Sequence, residues 1–409
     1  MFYSAVFTLA IILFLDIVPS YCSQLIETQT SLRPPDLAKS NQPKARIPEI
    51  PPKVIIGYGS CNDPIIDSVQ NGVNVLIWIP FVSIKLESIQ TDSGNILRSP
   101  TIVGGPDLSC VKRIQKQLYT MGYSEILHLI SFGGWNTPHF DFEVDITSHQ
   151  LYQAWKNYNQ EHLFHGFDWD FEGNSQQFSP INHYSLTCLN QMGEMSQFAK
   201  EDGYIVTMAP PESYLDFTNN DFSRYVNLTY PKDDWHFDFS FHGRNLYSYI
   251  LAKYGTYIDL ISIQLYESYS HASYHINYLG TSPSVYLVEL VNRLLFAKYD
   301  NQPGYWVQFS QDSSIALEDQ FVHIPLSKLV LGVASGWAET ASVDKSVYIS
   351  PMEIAIAYEN MHYSTHNVME DKVRGVMFWK IGSWDGMSDF IFGLQSALHI
   401  HKDKGEATI

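Results

Sequence analysis

From residue 54 onward, short apolar runs alternate with longer stretches in which apolar residues recur at helical spacing. Continuous apolar runs are typical of strands that are covered on both faces, and intervening helices favour a parallel sheet. The pattern therefore predicts a sheet of parallel strands wrapped by helices. The predicted strands are residues 54–58, 75–81, 126–132, 166–171, 204–209, 260–266, 329–334 and 375–379.

Eight such strands over this length fit a (β/α)8 barrel, in which a helix follows each strand. A doubly wound sheet is the alternative, and it usually carries a glycine-rich phosphate loop after its first strand. Here that turn is Gly-Tyr-Gly-Ser-Cys-Asn from Gly57, which lacks the fingerprint. The predicted helices are residues 111–121, 150–160, 189–200, 285–297 and 352–361.

The segment before the first strand divides into two parts. Residues 1–22 resemble a signal peptide, because a short apolar run from Val6 to Leu15 precedes small residues ending at Cys22. Asp16 and the lack of a basic residue before the run leave a buried helix as the alternative. Residues 23–52 are rich in Pro, Gln, Ser and Thr, which predicts an extended linker. The predicted single folded domain is residues 53–395, in a secreted protein.

Composition excludes several classes of protein. Among the 409 residues, 45% are hydrophobic and only 17% are charged, which excludes general disorder. A net charge of −18 repels phosphate backbones, so we expect no nucleic-acid partner. We expect a monomer, with no membrane contact after signal cleavage. Cys61, Cys110 and Cys188 would remain; they allow one disulfide and a free thiol in any pairing, although inert buried thiols are the favoured interpretation.

The segment His-Gly-Phe-Asp-Trp-Asp-Phe-Glu-Gly, from His165, carries the chemistry. Side chains alternate between the two faces of a strand, so Asp168, Asp170 and Glu172 share one face. The aromatic residues between them share the other face and suit packing under helices. The acids would then point into the barrel, where repulsion and burial raise at least one pKa. We expect Glu172, nearest the strand's carboxyl end, to be a general acid.

Two other interpretations of these acids carry less weight. A solvated edge strand does not suit a position in the middle of the strand pattern. A metal site needs further ligands, yet neither a His nor another acid stands at ligand spacing nearby. We therefore expect neither a metal nor a cofactor.

Residues 165–172 resemble the DxxDxDxE motif of glycoside hydrolase family 18, the chitinases and their relatives. Other family motifs follow in the expected order on the predicted strands, and the resemblance spans residues 54–386. Each motif alone is weak, but their order is specific. The matching motifs are Ser131-Phe-Gly133-Gly134 (SxGG), Met208-Ala-Pro210 at the fifth strand, Gln264-Leu-Tyr266 (QxY), and Gly375-Val-Met-Phe-Trp379 at the eighth.

The resemblance implies a substrate-assisted mechanism that retains configuration. Glu172 would protonate the glycosidic oxygen, and the substrate's own N-acetyl oxygen would attack the anomeric carbon. Asp170 would orient the acetamido group, Asp168 would share a proton or a hydrogen bond with Asp170, and Tyr266 would donate to the acetamido oxygen. Trp379 would form the floor of the cleavage subsite. The other expected substrate-binding residues are Gln264, Met208, Trp135, Ser131, Gly133 and Gly134.

Two departures from the family pattern matter. His165 replaces the usual first Asp; a structural hydrogen bond is favoured, while tuning of the Asp168 pKa or reduced activity are the alternatives. Residues 338–374 are too short to hold the insertion that makes a deep cleft, which predicts an open groove and endo-type cleavage. Residues 211–257 and 267–328 are longer inserts that would build a groove wall.

The expected function is a secreted, endo-acting chitinase that hydrolyses β-1,4-linked N-acetylglucosamine polymers. An endo-β-N-acetylglucosaminidase acting on N-glycans would present the same residues, and the sequence does not separate the two. A chitin-binding, lectin-like protein with weak or no activity is the third hypothesis. Such proteins typically lose the acid that this chain keeps at Glu172.

Overall fold

A computed structural model describes residues 47–90, 96–140, 146–174, 176, 178–226, 244–268, 270–295, 304–339, 346–364 and 373–400. The chain divides into two units, Met1–Ala45 and Arg46–Ile409. The predicted signal peptide and most of the predicted linker lie outside the described residues. No helix in the described ranges combines the length and hydropathy that a membrane span requires.

Eight parallel strands close into a barrel, which confirms the predicted fold. The hydrogen-bonded order is β1-β2-β4-β5-β6-β7-β10-β11, and β11 pairs again with β1. Three of the predicted strands, β5, β10 and β11, have the predicted bounds. The strands are β1 (Val54–Gly59), β2 (Val75–Gln90), β3 (Ile96–Gly104), β4 (Leu127–Gly134), β5 (Gly166–Phe171), β6 (Ile205–Met208), β7 (Leu260–Gln264), β8 (Tyr305–Val307), β9 (Gln320–Val322), β10 (Leu329–Ala334) and β11 (Gly375–Trp379).

Helices surround this barrel, and the five predicted ones correspond to α2, α3, α4, α7 and α8. The pattern did not predict α1, α5, α6 and α9, of which α1 and α6 are short. The helices are α1 (Ile65–Asn71), α2 (Leu108–Thr120), α3 (Ser148–Tyr158), α4 (Leu186–Glu201), α5 (Leu246–Tyr254), α6 (His271–Ser273), α7 (Pro283–Leu295), α8 (Pro351–Ser364) and α9 (Met387–Ala397).

The apolar core has two layers, which follow from the alternation of side chains along each strand. In β1, Ile55 belongs to the larger cluster between sheet and helices, whereas Val54, Ile56 and Tyr58 belong to the cluster inside the barrel. Because the strands are parallel, their carboxyl ends meet at one rim. The loops that can build a site therefore meet at that rim.

Two hairpins extend beyond the predicted pattern. β2 continues past the barrel to Gln90 and pairs antiparallel with β3. From Val82 onward its apolar and polar residues alternate, as in a strand covered on one face, so the predicted apolar run ended at Phe81. The second hairpin, β8 with β9, lies in the insert after β7.

The cysteines differ from the favoured expectation of inert thiols. A disulfide joins Cys61, after β1, to Cys110 in α2, with their Cα atoms 6.3 Å apart. Cys188 is buried and is not disulfide-bonded. The pairing depends on where the β1 loop meets α2 in space, and the chain pattern carries no information on that meeting.

The last residues of the predicted linker contact the barrel. Ile47 and Ile50 pack against the cluster inside the barrel. The Arg374 guanidinium donates to the Ile50 carbonyl at 3.0 Å. The residues directly before β1 therefore also pack against the barrel.

Candidate active site

Asp168 lies at the centre of the barrel and is completely buried. Three hydroxyl groups from other strands of the barrel donate to its carboxylate, at 2.5–2.8 Å. Burial raises its pKa, while these hydrogen bonds act in the opposite direction. Asp168 thus joins strands β1, β4 and β6 beneath the rim. The donors are Tyr58, Ser131 and Thr207.

Asp170 and Glu172 lie above Asp168 on the same face of the β5 segment, and both are nearly completely buried. The Gln264 side-chain amide donates to Asp170 at 2.8 Å and lies 3.3 Å from a Glu172 oxygen. The same amide donates to the Ala209 carbonyl at 2.6 Å, which fixes its orientation. The predicted stack of three inward acids is therefore present, with Gln264 beside it.

Burial raises the pKa of both members of this carboxyl pair, Asp170 and Glu172. Burial, followed by the charges of Glu172 and Asp168, raises the pKa of Asp170 well above its ordinary value. Burial raises the pKa of Glu172 to about 8, with a further contribution from Glu267. Since the two groups are hydrogen-bonded to each other, they titrate as a pair. A proton is therefore available at the Glu172 end of the pair near neutral pH.

Tyr266, just after β7, and Trp379, at the end of β11, come from two other strands of the barrel. Burial raises the pKa of Tyr266 well above its usual value, so its hydroxyl remains a donor. Trp379, half-buried at the end of β11, stacks on Phe81 with ring centroids 5.8 Å apart and an angle of 7°. The exposed Trp337 donates its indole N–H to the Trp379 carbonyl at 2.6 Å. The Trp379 ring therefore has a fixed plane beside the acids.

A cleft opens directly beside Glu172. Its lining comes from the loops after β4, β5, β6 and β7, so both long inserts contribute to its wall, as expected. Trp135 lies in this lining and is 40% exposed. The lining residues are Trp135, Glu172, Gly173, Asn174, Pro211, Glu212, Ser213, Tyr214, Val226, Glu267 and Ser270.

The two glycines of the SxGG motif are explained by packing. Both have positive φ, +111° at Gly133 and +82° at Gly134. A Cβ at Gly133 would lie 2.4 Å from the Asp170 carbonyl oxygen, and one at Gly134 would meet the Phe81 ring. These glycines let the backbone of β4 approach β5 and Phe81 closely. Their role is thus to shape the site.

Met208 is the predicted site residue that the structure places elsewhere. It is completely buried in the larger cluster between sheet and helices, on the opposite face of β6 from the acids. The adjacent Thr207 points inward and donates to Asp168. The expected substrate contact of Met208 is therefore wrong, because side chains alternate and the inward positions of this segment are Thr207 and Ala209.

His165 lies at the start of β5, away from the three acids. The ring Nδ1 of His165 accepts from the His128 backbone N–H at 3.1 Å. The backbone N–H of His165 donates to the His128 carbonyl at 2.7 Å. Burial lowers the pKa of His165 to about 4, so the ring is neutral near neutral pH. The favoured structural hydrogen bond is present.

Three residues at the site were not predicted from the sequence. Tyr58 and Thr207 bind Asp168, and Glu267 lines the cleft beside Glu172. Burial raises the pKa of Glu267 to about 7. Strand parity could have identified Thr207, and Glu267 directly follows the QxY motif. Within the described ranges, no group of three or more His, Cys, Asp or Glu side chains is arranged to hold a metal ion.

No family model matches this chain, and no curated protein does. Solved structures with a similar fold include a protein assigned as chitinase A from Streptomyces coelicolor, with a TM-score of 0.50 and 13% identity over 85% of this chain and 99% of that one. They also include the C-terminal domain of ChiA from Legionella pneumophila, with a TM-score of 0.49 and 14% identity over 84% of this chain and 97% of that one. The chain thus shares the (β/α)8 fold of chitinase structures.

Proposed function

We propose that this protein is a glycoside hydrolase of the family 18 type, which cleaves β-1,4-linked N-acetylglucosamine chains. The observation that carries the proposal is the stack of Asp168, Asp170 and Glu172 on the inner face of the β5 segment, beside an open cleft. A similar fold in chitinase structures supports it. The motif order, from SxGG to the Trp379 strand, supports the same family.

Glu172 acts as the general acid in this proposal. Its raised pKa, about 8, keeps it protonated at neutral pH, and it lines the cleft in which the glycosidic oxygen would lie. Once it has given up the proton, it can accept one from the water that completes hydrolysis. A single carboxyl group thus serves both proton transfers.

The substrate's acetamido oxygen supplies the nucleophile. Asp170, held by the Gln264 amide, orients the acetamido N–H and stabilises the positive charge that develops. Asp168 lies below Asp170, and three hydroxyl donors hold its carboxylate in place. From this position it stabilises the protonation state of Asp170. Tyr266 donates to the acetamido oxygen, and its raised pKa keeps its proton in place.

The Trp379 ring forms a platform for the sugar whose bond is cleaved. The apolar face of a pyranose stacks on an aromatic ring, and the Phe81 ring holds this one at a defined angle. Trp135 lines the cleft with Glu172, and the Trp337 indole binds the Trp379 carbonyl; both rings are partly exposed and offer further apolar surface. The open cleft and these exposed aromatic rings favour endo-type cleavage of a polymer.

Secretion is part of the proposal. The apolar run in residues 1–22 is typical of a signal peptide, and the Cys61–Cys110 disulfide suits an oxidising compartment. The expected partner is a chitin chain or an N-acetylglucosamine oligosaccharide.

The test is Glu172→Gln, assayed on chito-oligosaccharides with product identification. We expect turnover to fall by about a hundred- to ten-thousandfold, because the acid is lost while the shape of the side chain is kept. Glu353→Gln, the same change on α8 outside the barrel, is the control and should retain wild-type turnover.

Two outcomes would contradict the proposal. Unchanged turnover in Glu172→Gln would show that Glu172 is not the general acid. Cleavage of cellulose at a similar rate would show that the reaction is not substrate-assisted, since cellulose lacks the acetamido group. A parallel incubation with a high-mannose glycoprotein distinguishes the N-glycan alternative, because only an endo-β-N-acetylglucosaminidase would release its glycan. Oligosaccharide binding with no turnover in the wild type would favour the lectin-like alternative.

A further inference from the structure

Two buried tyrosine hydroxyls hold the backbone on both sides of Glu172. Tyr247, in α5, donates to the Phe171 carbonyl at 2.9 Å. The Gly173 N–H donates to the Tyr214 hydroxyl at 2.7 Å. The two tyrosine rings stack, with centroids 6.0 Å apart and an angle of 29°. The peptide groups that flank Glu172 are thus both bound by one aromatic pair.

Strand pairing weakens at this point of β5. On the side of β6, the register pairs run from Gly166 to Trp169. On the side of β4, they end at Phe171. Glu172 follows the last paired residue, so the tyrosine hydroxyls bind the backbone where the described ladder ends.

The approach of Tyr214 requires glycine after Glu172. A Cβ at Gly173 would lie 3.0 Å from the Tyr214 hydroxyl oxygen and 2.4 Å from the Asn182 side-chain oxygen. The Asn182 oxygen also accepts from the Asn174 N–H at 2.7 Å. The segment that follows Glu172 is therefore closely packed.

Asn245 ties the two tyrosines into one unit. It precedes α5, which carries Tyr247, and its side-chain oxygen accepts from the Asp216 N–H at 2.8 Å. Its amide donates to the Asn219 and Asp221 carbonyls, at 2.8 and 3.0 Å. Asn245 itself is completely buried with a φ of 51°, a conformation that Asn tolerates. The start of α5 is thus bound to the loop that carries Tyr214.

Two carboxyl groups bind this loop to the segment after β7. Glu212 accepts from the Ala272 N–H at 3.0 Å and from the Tyr286 hydroxyl. Asp216 lies 2.8 Å from the His271 ring nitrogen. The tyrosine pair is therefore held from the side that also carries Tyr266 and Glu267.

We propose that Tyr214 and Tyr247 are positioning residues for Glu172: they fix its peptide groups so that its carboxyl group faces Asp170 and the cleft. The proposal rests on the proposed function, since it takes Glu172 as the acid. Neither tyrosine acts on substrate in this role. Each acts through the backbone of Glu172, because a small displacement of a catalytic group costs a large factor in rate.

The experiment compares Tyr214→Phe and Tyr247→Phe with a matched control, Tyr249→Phe. Tyr249 is also buried in α5, but its hydroxyl donates to Asn190 in α4, away from the site. All three changes remove one hydroxyl and keep the ring. We expect kcat on chito-oligosaccharides to fall about ten- to a hundredfold in the first two, with KM within about twofold, and the control to match wild type.

A second measurement does not depend on turnover. Carbon-13 NMR of labelled glutamate side chains follows the titration of Glu172, with the Glu172→Gln variant identifying its signal. We expect its titration midpoint to fall in Tyr214→Phe and Tyr247→Phe, because a looser backbone admits water, and to stay unchanged in Tyr249→Phe. Thermal unfolding of each variant checks that the fold is intact.

The outcomes separate this proposal from the proposed function. If Glu172→Gln is inactive while both tyrosine variants keep wild-type kcat and an unchanged Glu172 titration, the positioning role is wrong and the function stands. If the wild type cleaves no chito-oligosaccharide, the proposed function is wrong, and the titration alone decides whether the tyrosines hold Glu172. Equal losses in all three tyrosine variants would mean a merely structural role.

Discussion

At the scale of single residues, the chemistry depends on how burial and hydrogen bonds shift the pKa values of the carboxyl groups. Burial raises the pKa values of Asp168, Asp170 and Glu172, but only Asp168 has three hydroxyl donors that oppose the effect. The environments of the three acids therefore differ although they share one face of one segment. Strand parity predicted that face. The donors that distinguish the acids come from three other strands, and their positions were visible only in the folded barrel.

The raised pKa of Glu172 makes a prediction about pH. The acid must be protonated to act, so kcat/KM should be steady below its pKa and fall as pH rises through about 8. The measurement is a pH–rate profile on a chito-oligosaccharide. Glu267→Gln should shift this alkaline limb to lower pH, because it removes a nearby negative charge that raises the pKa of Glu172. An alkaline limb that Glu267→Gln leaves in place would contradict the assignment.

At the scale of elements, the alternation of side chains in β6 is the clearest correction. The family motif predicted Met208 as a substrate-binding residue. The structure instead places Met208 in the outer core and Thr207 against Asp168. Elements with strong patterns were predicted well: β5, β10 and β11 have the predicted bounds. The β2–β3 hairpin and the short α1 were missed, because a strand with one polar face and a single short helix leave only weak apolar patterns.

Three substitutions at two adjacent positions of β6 test this alternation. Thr207→Val removes a hydrogen bond that lowers the Asp168 pKa, so we expect kcat to fall about tenfold. Thr207→Ser keeps the hydroxyl and should restore most of the activity. Met208→Leu conserves volume in the core and should leave kcat unchanged, with a loss of stability below about 1.5 kcal/mol. Steady-state kinetics measures kcat of each variant, and chemical denaturation measures its stability. A loss of kcat in Met208→Leu would mean that Met208 does belong to the site.

At the scale of the whole molecule, a closed barrel brings loops from distant parts of the sequence to one rim. The disulfide between Cys61 and Cys110 joins residues 49 positions apart, linking the loop after β1 to α2. The cleft combines residues from the loops after four strands. Stability and site geometry are therefore properties of the assembled barrel.

Removal of this disulfide gives a prediction at the same scale. Replacing both Cys61 and Cys110 with Ser should lower the free energy of unfolding by about 3–4 kcal/mol, since the unfolded chain gains entropy when a loop of this length opens. Chemical denaturation of the purified protein measures the loss. Replacing the buried Cys188 with Ala is the comparison, because it removes no cross-link. The activity of the folded double variant should remain, as neither cysteine lies at the cleft.

The chain pattern was sufficient for the barrel, the inward face of β5 and the set of motifs around Glu172. These features repeat at a local period, two residues in strands and 3.6 in helices, so they can be recognised along the chain. The hydroxyl donors of Asp168, the tyrosine pair that binds the peptide groups beside Glu172 and the disulfide pairing required the folded structure. Each joins residues that are far apart in sequence and adjacent only after the barrel closes. A local period along the chain does not show which distant residues come into contact.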